Sequence, residues 1–552
     1  MRTRVLVSVL VCAAAAPLFS QRSPDPPVLH ALREELVRSV AGLRMKDEPA
    51  PYYVAYSLVD MTETTCAATL GAPMERRSTR ARILRADVRV GDYALDSSGF
   101  TAGGGRGAMG AMALLPIDDN EVALRRQVWL TTDAAYKTAV QIFSRKRAAF
   151  ANRNDADPVP DMSREDPVDD IAAAGPAAPL AATWEGVVSE VSQATAAPGI
   201  VSSEVILAVT DGARYFINSE GFRTAVPARQ VQLRVDAAAL ADDGMAVRDH
   251  VILAAQRVDD LPPKNELIRR ARQMVADLSA TRAAAVGDDY SGPVLVEDQA
   301  AATLVAHAFV PLFLARRPPE SDDARTPRVP ATPFLTRLGS RVLPESFVVK
   351  DTPSMTRYGT EPVGGAYTVD EEGVRAQDVR LVEGGRLVTL LTSRTPMKNL
   401  PRSNGHARGG GAQAGVFQME SASAVPSAAL KTKYLELLKT QGRPFGYIVR
   451  GLSQFGGRAG SPITGIVKVT ATGVEEPVRG LVLGNVTHTA FRDIVAASGD
   501  RALLTLNASG GVGSSVLVSV IVPSLIFEDL DIQRSKEPLQ KRPTVPSPLE
   551  KR

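Results

Sequence analysis

Five histidines, at positions 30, 250, 307, 406 and 488, are the residues of this 552-residue chain best suited to moving protons or holding a metal near neutral pH. No two of them stand at a spacing that lets two imidazoles reach one metal from one helix. His307 lies in an almost wholly apolar stretch and reads as a core histidine with a hydrogen-bond partner, because an imidazole buried without one costs about 1–3 kcal/mol. His406 is the better functional candidate. It shares a Gly-rich loop with Asn404 and Arg408, three polar side chains able to bind a substrate, although a solvated loop gives the same pattern. Asp370, Glu371 and Glu372 could be read as an acid–base pair, but an exposed turn is the simpler account. There is no GxSxG elbow and no Cys/His pairing for covalent catalysis. The Gly/Ser/Ala-rich run 96–110 lacks the Gly-Lys-Ser ending of a phosphate loop. Catalytic residues stay unassigned and no metal-ligand set emerges.

The elements that must position these residues are organised around 292–318. Val294 to Val296 forms a short apolar run, Glu297 and Asp298 offer a cap, and the following sixteen or so residues are nearly all apolar. This predicts a buried strand leading into a helix that needs cover on all sides, bent or ended at Pro311. Upstream, Leu29, Leu32, Leu36, Val40 and Leu43 mark an amphipathic helix. Tyr52 to Val90 reads as a strand meander. Residues 120–152 give the clearest helix, with Trp129, Tyr136, Phe143 and Phe150 spaced by sevens as core packing. Acidic, Pro/Ala-rich residues 154–179 predict an exposed excursion. Strands follow from Ser203, with breaks at Asp211-Gly212 and at 218–221, and continue through the alternation Val231, Leu233, Val235. A helix carrying Leu267, Ala271, Met274 and Leu278 lies between Pro262-Pro263 and Gly287. Beyond 335 come many short strands with Gly-rich turns and one helix at 427–440. The fold class is therefore α+β: an N-terminal curved antiparallel sheet with long helices, then a β-rich barrel-like or sandwich domain.

With 64 basic and 61 acidic residues, the net charge of +3 gives no reason to expect a nucleic-acid partner. Arg2, Arg4 and the apolar run Val5 to Phe19 have the layout of a secretory signal, so the mature chain is expected to be exported, periplasmic or extracellular, starting near Gln21. Losing that segment removes Cys12 and leaves Cys66 as the only thiol, with no intrachain disulfide possible. No later run is long and apolar enough to span a membrane as a helix. The expected divisions are 1–20 signal, 21–288 N-terminal domain, 289–535 C-terminal domain and 536–552 polar tail.

Several motifs, taken in order, resemble the TldD/PmbA metallopeptidase family. They are Leu115-Pro116-Ile117-Asp118-Asp119, Leu124-Arg125-Arg126 with Trp129, and Asp133 to Lys137. The strand and capped Ala-rich helix at 292–318 follow, then the Asp370-Glu371-Glu372-Gly373 turn with LVEGGRLVTLLTSR, the loop 403–408, Val478-Arg479-Gly480 and the ending Val522 to Leu530. The resemblance implies two subunits enclosing a peptide-binding cavity, one type carrying zinc on an HExxxH helix with a late Cys, the other lacking it. This chain departs from the zinc-bearing pattern. The three key positions are Ala306, His307 and Pro311 in one register, or His307, Ala308 and Leu312 in the next, and no thiol lies in 512–525. The implied role is the non-catalytic, TldE-like partner of an exported proteolytic assembly, holding extended or unfolded peptide through Asn404, His406 and Arg408. Its own partner would be a TldD-like subunit with intact HExxxH, or a second copy. No cofactor is expected, zinc entering only if the chain is instead an active metallopeptidase with a rearranged metal site. A binding protein unrelated to proteolysis is a further alternative.

Overall fold

The computed structural model describes residues 25–102, 110–151, 159–171, 180–323, 331–454, 460–508, 515–545 and 547–549. The expected signal segment lies outside them. The N-terminal part is built on an eight-stranded sheet whose first two strands, Pro51–Thr69 and Ala72–Val90, form one long antiparallel hairpin. Strand Ile200–Asn218 pairs with Pro51–Thr69 on its other side, and Gln230–Leu240 and Ala246–Ala255 follow in antiparallel order. Side chains alternate across these strands, so one face carries Tyr56, Leu58, Cys66, Leu207 and Tyr215, all buried. Four helices cover that face: α1 (Pro27–Gly42), α2 (Glu121–Phe150), α3 (Thr183–Gln193) and α4 (Lys264–Ala283). Asn120 caps α2 by accepting from the Ala123 amide. The opposite face turns toward the C-terminal half, where Phe216 and Phe222 pack with Val369 and Val374.

The C-terminal half contains a closed five-stranded barrel. Tyr290–Val296 lies between Phe445–Leu452 and Val516–Arg534, and the circle returns through Ser461–Thr470 and Leu481–Leu483. Val516–Arg534 is long enough to leave the barrel and also pair with Ile494–Ala508 and Val416–Ser421. The fold class is α+β, as expected. Among the described residues no helix is long and apolar enough to cross a membrane.

Tertiary contacts override several local expectations. Asp211-Gly212 does not break a strand: Ile200–Asn218 runs through it, and a Cβ at Gly212 would sit 2.1 Å from the Asp60 carbonyl oxygen of the paired strand. Trp129 is not core but 46% exposed, with Arg38 over its ring. The segment expected to be an exposed excursion buries Asp161, Met162 and Ser163, although much of it lies outside the described residues. The helix after Val296 is shorter than expected. Its α-helical part, α5, is Asp298–Leu304, followed by a π turn over Val305–Phe309 and a 3-10 turn over Val310–Phe313, where Pro311 ends the regular hydrogen bonding. His307 and Pro311 on it are exposed, so the element is covered on three sides and open on one.

Candidate functional site

Among the described residues, strand Ala246–Ala255 pairs only with Gln230–Leu240, which leaves its outer edge free of named strand partners. That edge borders a cleft of about 920 Å³ between the two halves. The far wall is made by α5 through Gln299 and Thr303, by Tyr358 and by residues 501–505 of strand Ile494–Ala508. An open strand edge offers unpaired amides and carbonyls at a fixed repeat, which an extended chain of any sequence can match.

Two titratable groups on this edge are perturbed. Burial pushes the Asp249 carboxyl up to about 7, with the Asp277 carboxylate adding to the rise, while the His250 amide and the Thr464 hydroxyl oppose it. Burial and the nearby Arg234 lower the His250 pKa, so its imidazole is neutral at pH 7. A carboxyl near 7 in a cleft is suited to exchanging a proton. Because the folded value exceeds the ordinary one of about 3.9, folding binds a proton and stability falls as pH rises between those values. Stability should therefore drop between about pH 4 and 7, and Asp249→Asn should flatten that part of the profile in urea titrations across pH. An unchanged slope in the variant would contradict this. Asp370, raised to about 8, extends the decline further.

The structure gathers Asn404, His406, Arg408 and the acidic run 370–372 into one largely buried polar cluster, set apart from the residues that line the cleft. The loop of His406 is not solvated: His406 has no exposed surface, its Nδ1 meets the Asn404 oxygens at 3.0 Å and its Nε2 meets Asp351 Oδ1 at 3.2 Å. Asn404 accepts from the Thr392 amide at 2.8 Å and donates to the Leu390 carbonyl at 2.8 Å. Arg408 donates to the Ala414 and Leu517 carbonyls at 3.0 Å and lies over the Tyr367 ring. The acidic run is not an exposed turn either. Asp370 is buried and accepts from the amides of Glu372, Val374 and Ala407 at 2.9 Å, while Glu371 pairs with Arg214 of the N-terminal sheet. Burial first, and then Glu372, raise the Asp370 pKa. The sequence places these residues in turns, but domain packing covers the turns.

Residues 289–534 match the family described as PmbA/TldA metallopeptidase C-terminal domain. This chain carries a C-terminal domain of the TldD/PmbA family. Over 91 residues it is 34% identical to a protein of Archaeoglobus fulgidus named metalloprotease, a stretch that covers 16% of this chain and 20% of the relative, so the match spans about a fifth of that protein. Among solved structures, a Thermotoga maritima protein described as a candidate modulator of DNA gyrase aligns over 87% of this chain and 96% of its own, at TM-score 0.57 and 15% identity. TldE from Thermococcus kodakarensis aligns over 91% of this chain and 100% of its own, at TM-score 0.54 and 13% identity. At such identities the two structures show a shared fold.

A TldD/PmbA relationship raises the question of zinc, and the donor set at the helix that would hold it does not fit. His307 is the lone imidazole there, its Nδ1 3.1 Å from the Thr303 carbonyl oxygen, with Ala306, Ala308, Pro311 and Leu312 around it. It has the hydrogen-bond partner expected from the sequence, but sits on the open side of the element and not in the core. Among the described residues, no three His, Cys, Asp or Glu side chains converge as a metal site.

Asp249 and His250, with Arg234 and Asp236 on the neighbouring strand behind them, were not recognised from the sequence as belonging near a site. A signal existed: with Val231, Leu233 and Val235 on the core face, the alternation puts Arg234 and Asp236 on the opposite face, and cross-strand pairing sets Asp236 opposite His250. What the sequence lacks is the pairing partner.

Proposed function

We propose that this TldD/PmbA-family protein is the non-catalytic partner subunit of an exported proteolytic assembly, and that its cleft holds extended or unfolded peptide by backbone pairing along Ala246–Ala255. The observation that carries this reading is the ten-residue open strand edge bordering a cleft of about 920 Å³. Recognition by main-chain hydrogen bonds suits a protein that accepts many sequences, since the edge repeats whatever side chains the peptide carries. The mismatched donors around His307 favour partnership over catalysis, and the TldE likeness favours a TldD-bearing complex over a second copy of this chain. Asn404, His406 and Arg408 belong to the reading as its substrate-binding residues, in the cluster next to Tyr367 that Gln256, at the end of the open strand, approaches through Gly364 and Ala366.

Export rests on Arg2, Arg4 and the apolar run to Phe19, and the N-terminal residue of the mature protein, read by mass spectrometry, decides it. Peptide holding is tested by fluorescence anisotropy with a labelled unfolded polypeptide, against this chain and against its mixture with an HExxxH-bearing relative from the same cell. Saturable binding at micromolar concentration is expected. Absence of binding in both cases would overturn the reading.

A further inference from the structure

Arg408 is a cation without a matching anion. Its guanidinium has five N–H donors, and the two contacts that hold it go to the backbone carbonyls of Ala414 and Leu517. The Tyr367 ring supports it from one side, 4.2 Å from the ring centre. Among the described residues no carboxylate forms an ion pair with it. Asp351 and Asp370 are near enough to favour its charge, but Asp351 is committed to His406 and to the Gly415 amide, and Asp370 to three backbone amides.

A second arginine stands next to it. Arg214 lies on the face of Ile200–Asn218 that turns away from the helices, opposite Val59, and pairs with Glu371. The Glu371 amide donates to the Ala407 carbonyl at 2.7 Å, which sets Arg214 near Arg408, and burial and then the charge of Arg408 lower the Arg214 pKa to about 10. Glu371 serves Arg214, and among the described residues no carboxylate pairs with Arg408, so positive charge at this seam is left unbalanced. Arginine forks hold carboxylates in bidentate fashion, and they do so most strongly where water is scarce.

The position relative to the cleft is informative. Gln256 follows directly on the open strand and donates to the carbonyls of Gly364 and Ala366 at 3.0 Å, immediately before Tyr367. A peptide laid parallel to Ala246–Ala255 would thus bring its C-terminal end to the Tyr367–Arg408 corner. We propose that Arg408 and Arg214 form a carboxylate-accepting subsite at the end of the cleft, suited to the C-terminal carboxylate of an extended peptide. This rests on the peptide-holding reading and adds end recognition to it, which would make the protein prefer free chain ends over internal segments.

The test uses the full-length protein and an N-terminally labelled unstructured decapeptide of Gly, Ser and Ala, with either a free or an amidated C-terminus, followed by anisotropy. The free acid should bind at least about tenfold more tightly, a difference of about 1.4 kcal/mol. Arg408→Gln should erase the preference, and Arg408→Lys should keep part of it because the charge remains. The comparison of the two peptides on unmodified protein stands even if a variant fails to fold. A third peptide, amidated but with a terminal Glu, separates the sources of the carboxylate: recovery of affinity would support the subsite with a side chain as its ligand. Equal binding of all three peptides would overturn the subsite and leave peptide holding intact. No binding of any peptide or of an unfolded polypeptide would overturn both.

Discussion

Replacing Arg394 with alanine is expected to lower the unfolding free energy by about 3–5 kcal/mol, the cost of leaving a buried charge and its hydrogen-bond acceptors unpaired. Arg394 comes from the C-terminal half and is 1% exposed. It reaches into the N-terminal half, where Nη1 and Nη2 donate to the Glu220 carboxylate at 2.5 and 2.8 Å and Nη2 donates to the Ser163 carbonyl at 2.7 Å. Phe222 and Tyr53 lie beside the guanidinium. Burial alone would raise the Glu220 pKa, but Arg394, Tyr93 and Asn218 outweigh it and hold the carboxyl below its usual range. A depressed carboxyl contributes its stability above the unfolded value of about 4.3 and loses it as pH falls through the lower folded value. The gap between wild type and variant should therefore narrow in acid. Urea unfolding at pH 7 and pH 3 measures both effects, and a loss under about 1 kcal/mol at pH 7 would show that this contact does not join the halves.

Phe309→Ala should be comparably costly, again about 3–5 kcal/mol, but without pH dependence. Phe309 is fully buried beneath the π turn and stacks on Phe491 at 4.3 Å, with edge contacts to Phe313, Phe334 and Phe417. Removing the ring takes away the element all four share and leaves a cavity that their stacking resists closing. Phe309→Leu, which retains most of the volume, should cost less than about half as much. Equal stability of Phe309→Ala and wild type in thermal or urea unfolding would mean that the cluster does not anchor the helix.

The parts of the fold legible in the sequence were those where local pattern and burial agree. The alternation Val231, Leu233, Val235 and the 3.6-residue stripe of α4 each meet one core face, so periodicity reports them faithfully. Strand Ile200–Asn218 misled because Asp211-Gly212 is a good turn in isolation, while in the sheet Gly212 is the residue that lets Pro51–Thr69 approach. The same logic applies to Asp370-Glu371-Glu372-Gly373 and to the His406 loop. Both carry turn residues and both form turns, yet Arg214 and the aromatic pair Phe216 and Phe222 come from the N-terminal half to cover the acidic turn, and Asp351 closes over His406. Charge and glycine content encode the bend of the backbone. They do not encode what packs on it. His307 failed in the other direction: its neighbours are apolar, but the helix turns a side outward at Val305–Phe309, and composition has no means of marking which side.

Partnership without catalysis is tested most directly by a cleavage assay. An unfolded polypeptide is incubated with this protein alone, with an HExxxH-bearing TldD-like protein from the same cell alone, and with both. Cleavage by the mixture, with none by this chain alone, is the result expected. Cleavage by this chain alone that a chelator abolishes would contradict the account, because it would require a metal site assembled from residues that the fold around His307 does not bring together.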